Sequence, residues 1–225
     1  VITTVTPTTV IEKGSTPLTE AQIAALFDGG SDKEDDASTT DSKTSTVTYV
    51  MTDSEGNVVT PEQVAANPGD YTVTATITDS DGKSATATAL ITTKDTTSPR
   101  VAIENVSTAA TEVAVTVSDD AEKVDVTFPV STNTGTTSTT TGTTTVTLTK
   151  NTDGSYTGTD GNTYTPVANG DGTVTLTVKV PADADLQATG DGYTTSPITA
   201  TATDAAGNST TSSDVITNTP PVIET

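Results

Sequence analysis

Hydrophobic residues recur at every second position over short runs of this chain, and threonine fills most of the alternate slots. TVTYVMT places Val47, Tyr49 and Met51 on one side, GDYTVTATIT does the same with Tyr71, Val73, Ala75 and Ile77, and GTVTLTVKV with Val174, Leu176, Val178 and Val180. A period of two is that of a β-strand with one face on a core and the other in solvent. Further strands are predicted in TTVIEKG, KSATATALITT, VAIENV, TEVAVTV, KVDVTF and SPITATATD. A helical period surfaces in LTEAQIAALFDGG, where Thr19 and Gln22 form a capping box, Leu18 and Ile23 a staple and Gly29 a stop. One helix of roughly two turns is expected near residues 20–27, with Ile23, Leu26 and Phe27 on one face. A second T-x-x-Q, from Thr60 to Gln63, predicts a short helical turn before PGDYTVTATITD.

Acidic turns punctuate the strands: DSEGN, DSDG and DAAGN. Residues 31–43 are polar and acidic and are expected to form a mobile loop; the run Asp32 to Asp36 lacks the glycine and spaced oxygens of an EF-hand loop. The segment 131–172 is rich in Thr and Gly, and its TTTVTLTKNTDGSYTGTD alternates like a hairpin with a weak core. YTVTATITDSDGKSATATALIT leads to Pro99, and YTTSPITATATDAAGNSTTSSDVIT leads to Pro220 and Pro221. Two copies of strand, acidic turn, strand and proline mark a tandem array. The expected organisation is a module at 1–94 with the helix, a linker at 95–99, a module at 100–218 containing the 131–172 excursion, and at 219–225 the start of a further linker or module.

Composition sharpens this. Of 225 residues 59 are Thr, which suits strands because its branched Cβ packs on a pleated surface. Net charge is −21, so nucleic acid and anionic membranes are poor partners and cations are the natural counter-species. Without Cys or His, thiolate metal sites, disulfides and the common catalytic triads and dyads are unavailable, and an enzyme is not expected. No apolar run reaches the roughly 20 residues of a spanning helix, so no membrane insertion is expected of this segment.

GDYTVTATITDSDGKS, TATDAAGNST and KDTTSP resemble the last hairpin and linker of bacterial immunoglobulin-like repeats, as found in tandem in large surface adhesins and biofilm-associated proteins. The resemblance covers the C-terminal third of each module. It implies an all-β chain of two tandem immunoglobulin-like Greek-key β-sandwiches, exported to the bacterial cell surface. In such a sandwich the chain enters at the end carrying the B–C and F–G loops. That would gather Asp95, Asp119, Asp120, Asp204 and Asn208 at the junction, where repelling carboxylates call for a cation such as Ca²⁺. A weaker second site would join Asp53 and Glu55 to Asp79 and Asp81. The competing reading makes Asp204, Gly207 and Asn208 turn formers and Asp119 and Asp120 a solvated loop.

The function expected is an extracellular stalk or spacer, monomeric, with neighbouring modules of the same chain as partners and calcium stiffening the junction. The alternative is a ligand-binding module for a host-cell or biofilm glycan or protein using 131–172, where Tyr156 and Tyr164, with Tyr193 beyond them, would line a small glycan surface. Strand packing is the commoner role of such tyrosines.

Overall fold

The computed structural model describes residues 1–29, 45–103, 106, 110–133, 138–186 and 197–215. The expected loop at 31–43 with Asp32 to Asp36, Tyr193, and the prolines at 220 and 221 lie outside the described residues. The chain divides into two compact units, Val1–Thr96 and Thr97–Thr225.

Unit 1 contains β1 (Ile2–Thr4), β2 (Thr8–Glu12), α1 (Glu20–Ala24), β3 (Phe27–Gly29), β4 (Thr46–Thr52), β5 (Val58–Val59), α2 (Pro61–Ala66), β6 (Gly69–Thr78) and β7 (Ser84–Lys94). Its main sheet has the order β2-β7-β6-β4-β5, and every pairing is antiparallel except β2 with β7, which is parallel. The alternation of Tyr71, Val73, Ala75 and Ile77 survives as strict burial on one face of β6. That face meets Ile2 of β1, Ile23 and Leu26 from the α1 region, Phe27 of β3 and Val64 of α2. Phe27 stacks on Tyr49 with ring centroids 6.0 Å apart. The covering layer, among the described residues, is therefore the β1–β3 ribbon and two short helices, where a full second sheet was expected.

Both helices start at capping boxes, Thr19 with Gln22 and Thr60 with Gln63. The first is shorter than its pattern suggested: α1 stops at Ala24, and Phe27 opens β3 instead of closing the helix. Val5 N–H donates to Leu26 O, and β1 pairs with β3, so the ribbon competes successfully for this backbone. Carbonyls near the end of α2 accept from Thr93 Oγ1 (onto Val64 O, 2.7 Å) and Gly14 N–H (onto Ala65 O, 2.8 Å). This explains how Thr93 is buried without loss.

Unit 2 contains β8 (Val101–Ile103), β9 (Glu112–Ser118), β10 (Ala121–Asn133), β11 (Ser138–Lys150), β12 (Tyr156–Gly158), β13 (Thr163–Tyr164), β14 (Val167–Ala168), β15 (Thr173–Lys179), β16 (Ile198–Asp204) and β17 (Ser209–Asp214). They form a six-stranded sheet, β13-β12-β11-β10-β16-β17, and a four-stranded sheet, β14-β15-β9-β8. The inward faces share one core that includes Val115, Val126, Phe128, Leu148, Tyr156, Leu176 and Ile198. Each large side chain removed from water here is worth roughly 1.5–3 kcal/mol.

The 131–172 segment is part of this sandwich. It supplies β11 to β14, and Val146, Leu148, Tyr156 and Tyr164 are buried in the core, so the expectation of a weak core is corrected. Its low count of apolar residues misled because two tyrosines carry the packing. The Tyr156 hydroxyl donates to Ala121 O at 2.6 Å, closing the shift in register where β10 meets β16.

Candidate functional site: the acidic turns

Among the described residues, six hairpin turns share one geometry. They span residues 53–57, 79–83, 151–155, 158–162, 169–173 and 204–208. In each, the first N–H donates to the fifth carbonyl at 2.7 to 3.1 Å. The fourth residue is always glycine, with φ between 80° and 89°. A side chain at that φ costs roughly 1–2 kcal/mol, which is why the position is reserved for Gly.

The carboxylates of these turns act in two ways. At the first position, Asp53 Oδ1 accepts from Glu55 N–H (2.9 Å) and Asn57 N–H (2.8 Å), Asp79 Oδ1 from Asp81 N–H (3.0 Å) and Lys83 N–H (2.7 Å), and Asp204 Oδ1 from Asn208 N–H (2.9 Å). At the third position, Asp153 Oδ1 accepts from the N–H and hydroxyl of Ser155 (2.9 and 2.6 Å), Asp160 Oδ1 from Asn162 N–H (3.1 Å), and Asp171 Oδ1 from the N–H and hydroxyl of Thr173 (3.1 and 2.6 Å). In either position the ionised form satisfies backbone donors that the turn would otherwise leave open.

Electrostatics follow from this. The Asn57 side chain and turn N–H groups hold Asp53 below the ordinary carboxylate range; Ser155 does so for Asp153, and Thr173 for Asp171. Burial pushes Asp160 and Asp204 upward, but the hydrogen bonds outweigh it and both end lowered: Tyr164 and Asn162 act on Asp160, Asn208 on Asp204. Burial, then the charges of Glu122, Asp119 and Asp120, push the Tyr156 phenol to about 12.

Asp95 belongs to unit 1. Its side chain, 8% exposed, forms an ion pair with Lys13 at 2.8 Å. Thr96 alongside donates its N–H (2.7 Å) and hydroxyl (2.8 Å) to Glu12. Asp119 and Asp120 follow β9 directly, and Asp204 pairs with Ala121 at the start of β10, so these three share one end of unit 2. The 169–173 turn lies there too, since Asp119 N–H donates to Gly172 O (3.0 Å), and so does Lys150, which precedes the 151–155 turn and donates its Nζ to Asp119 O. Asn208 Nδ2 donates to Asp204 Oδ2 at 3.0 Å, so both oxygens of Asp204 already accept from its own turn.

The weaker site is not assembled. Thr52 pairs with Thr72, and Thr78 with Thr46, so Asp53 with Glu55 follows one end of the β4–β6 pair while Asp79 and Asp81 follow the other. Residues 53–57 connect two neighbouring strands of one sheet and are not a B–C loop. Among the described residues, no three acidic side chains stand close enough to hold one ion. Nor do Tyr156 and Tyr164 offer a sugar platform: they are 1% and 5% exposed. Asp153, Asp160 and Asp171 were passed over in the sequence, although the recurrent five-residue interval with glycine fourth was visible there.

No family model matches the chain, and no curated protein matches it in sequence. Among solved structures, a tetra-tandem repeat from the extending region of a large adhesion protein is 21% identical over 76% of this chain and 41% of that one, with a TM-score of 0.32. A bacterial ice-binding adhesin is 21% identical over 76% of this chain and 52% of its own, with a TM-score of 0.23. Protocadherin gammaB7 EC3-6 is 12% identical over 96% and 46%, with a TM-score of 0.28. The chain thus spans about half or less of each, and TM-scores of this size do not establish a shared fold. No helix among the described residues is long and apolar enough to cross a membrane.

Proposed function

We propose that this chain is a structural spacer: a segment of a bacterial surface adhesin, outside the cell, whose partners are neighbouring modules of the same polypeptide. The observation that carries this reading is the presence of two separate hydrophobic cores, one after the other along one chain. Groups capable of binding or acid–base chemistry are used structurally instead. The turn carboxylates accept from their own backbones, and threonine hydroxyls bond one another, as in Thr127 with Thr145 (2.9 Å) and Thr201 with Thr211 (2.8 Å). The charge of −21 favours solubility and mutual repulsion of neighbouring copies. Burial of Tyr156 and Tyr164 counts against the alternative, a ligand-binding face on 131–172.

The purified chain, applied to glycan arrays and to host-cell and biofilm layers, is expected to bind at background level. Saturable binding would replace the spacer with a ligand-binding module.

A structural calcium ion is a separate proposal within this reading. Asp119, Asp120 and Asp204, which do not stand close enough to share an ion as they are, would have to be drawn together by it at one end of unit 2, with Asp204 releasing Asn208. Thermal melts in millimolar calcium and in chelator test it, since an ion that binds only the folded state raises the melting temperature. A rise abolished by Asp204→Asn supports the ion; superimposable curves remove it.

A further inference from the structure

In unit 1 the first and last strands of the main sheet lie side by side and run in the same direction. Thr8 pairs with Leu90, and the register continues to Glu12 with Lys94. Leu90 N–H donates to Pro7 O (2.9 Å) before the ladder, and Lys13 N–H donates to Lys94 O (2.7 Å) after it. Between these bonds, the period of two makes Thr9 and Ile11 the residues of β2 whose N–H groups face β7. Beyond the last pair, side chains extend the contact: Lys13 Nζ meets Asp95 at 2.8 Å, and Glu12 takes both the N–H and the hydroxyl of Thr96.

We propose that the parallel β2–β7 ladder, with its Lys13–Asp95 and Glu12–Thr96 clasp, is the force-bearing element of unit 1. Tension along the polypeptide enters β2 at its N-terminal end and leaves β7 at its C-terminal end. Because the strands are parallel, these are opposite ends of the ladder, and the two pulls run along the strands in opposite directions. The ladder is loaded in shear, so its bonds and the clasp must give way together. Peeling, by contrast, would break them one at a time. The clasp sits beside the exit of β7, where the load is concentrated. It gives Asp95 and Glu12 a role that needs no metal.

The terminal strands of unit 2 are held differently. β8 belongs to the four-stranded sheet and β17 to the six-stranded sheet. Among the described residues they are joined by Ile103 N–H onto Ser212 Oγ (3.4 Å), and Val106 N–H onto Asp214 Oδ2 (3.0 Å) adds a link just beyond β8. Under a shared load, unit 2 is expected to open first.

The biological use of such an element rests on the spacer reading, but its mechanics do not. The chain has no cysteine, so paired handles can be placed at will in the full chain for single-molecule pulling. Val5→Cys with Ser98→Cys loads the ladder in shear; Thr16→Cys with Ser98→Cys, both at exposed positions, loads it from its clasp end and peels it. Lifetime under a constant load, which reads the unfolding rate, is expected to be at least about tenfold longer in shear. In the shear geometry Lys13→Met should shorten it by about fivefold, and Thr9→Pro by more, because proline removes a ladder donor. Thr9→Pro is informative only if the chain folds; the comparison of handles and Lys13→Met stand without it. Equal lifetimes in the two geometries, or a Lys13→Met lifetime equal to that of the parent, would overturn the clasp. That result would leave the spacer reading in place, since saturable ligand binding is what ends that one.

Discussion

Unit 1 covers the inward face of its five-stranded sheet with a two-stranded ribbon and two short helices, whereas unit 2 covers a six-stranded sheet with a second sheet of four. The contrast decides where the ends of each unit are held. In unit 1 the first and last strands of the main sheet are partners in one parallel ladder, while in unit 2 the outer strands β8 and β17 fall in different sheets. The same Thr-rich, alternating sequence thus yields two closures. What they share is the five-residue turn with glycine at its fourth position, which occurs in both.

The strongest way to break this comparison is to damage one core and watch the other. Phe128→Ala in unit 2 and Ile91→Ala in unit 1 remove fully buried side chains, at an expected cost of about 3–5 and 2–5 kcal/mol respectively. Hydrogen exchange should show protection falling only in the damaged unit; loss across both would mean that the units do not have independent cores. Next come the shared turns. Gly82→Ala and Gly207→Ala should each cost about 1–2 kcal/mol in urea unfolding, although neither added methyl meets an atom within 4 Å, because the penalty is conformational. Gly142→Ala, in β11 with equally open space but no left-handed φ, is the control and should raise stability by about 0.5–1 kcal/mol instead of lowering it.

Thr60→Ala, which removes the cap of α2, sharpens the difference in covering layers. It should destabilise unit 1 by about 1 kcal/mol and leave unit 2 unchanged. The smallest effect per residue belongs to pH. Asp53, Asp153, Asp160, Asp171 and Asp204 have lowered pKa values in the folded chain, so their contribution is complete above the unfolded value of about 4 and is lost as pH falls through the folded values. Four of these five lie in unit 2, against Asp53 and the likewise lowered Glu62 in unit 1. Acid titration followed by NMR should therefore weaken unit 2 more than unit 1, partly offset as falling net charge relieves self-repulsion.

Strand positions, the two helix starts and the turn locations were readable along the chain, because each depends on neighbours within a few residues: alternation for β6 and β15, a Thr-x-x-Gln box for each helix, an acidic or amide residue before Gly for each turn. The end of α1 was misread for the same reason. Its local pattern runs through Phe27, but a partner strand, β1, claims that backbone from upstream of the helix, beyond the reach of the local pattern. Partnership between distant segments is a matter of topology, and topology placed Asp53 and Asp79 at opposite ends of one strand pair, buried Tyr156 and Tyr164 inside a segment that looked loosely packed, and set Lys13 against Asp95. A carboxylate in a Thr-rich loop carries the same local signal whether it caps its own turn, pairs with a lysine or waits for a cation. Which of these it does depends on the donors that folding brings within about 3 Å, and these come from the three-dimensional arrangement.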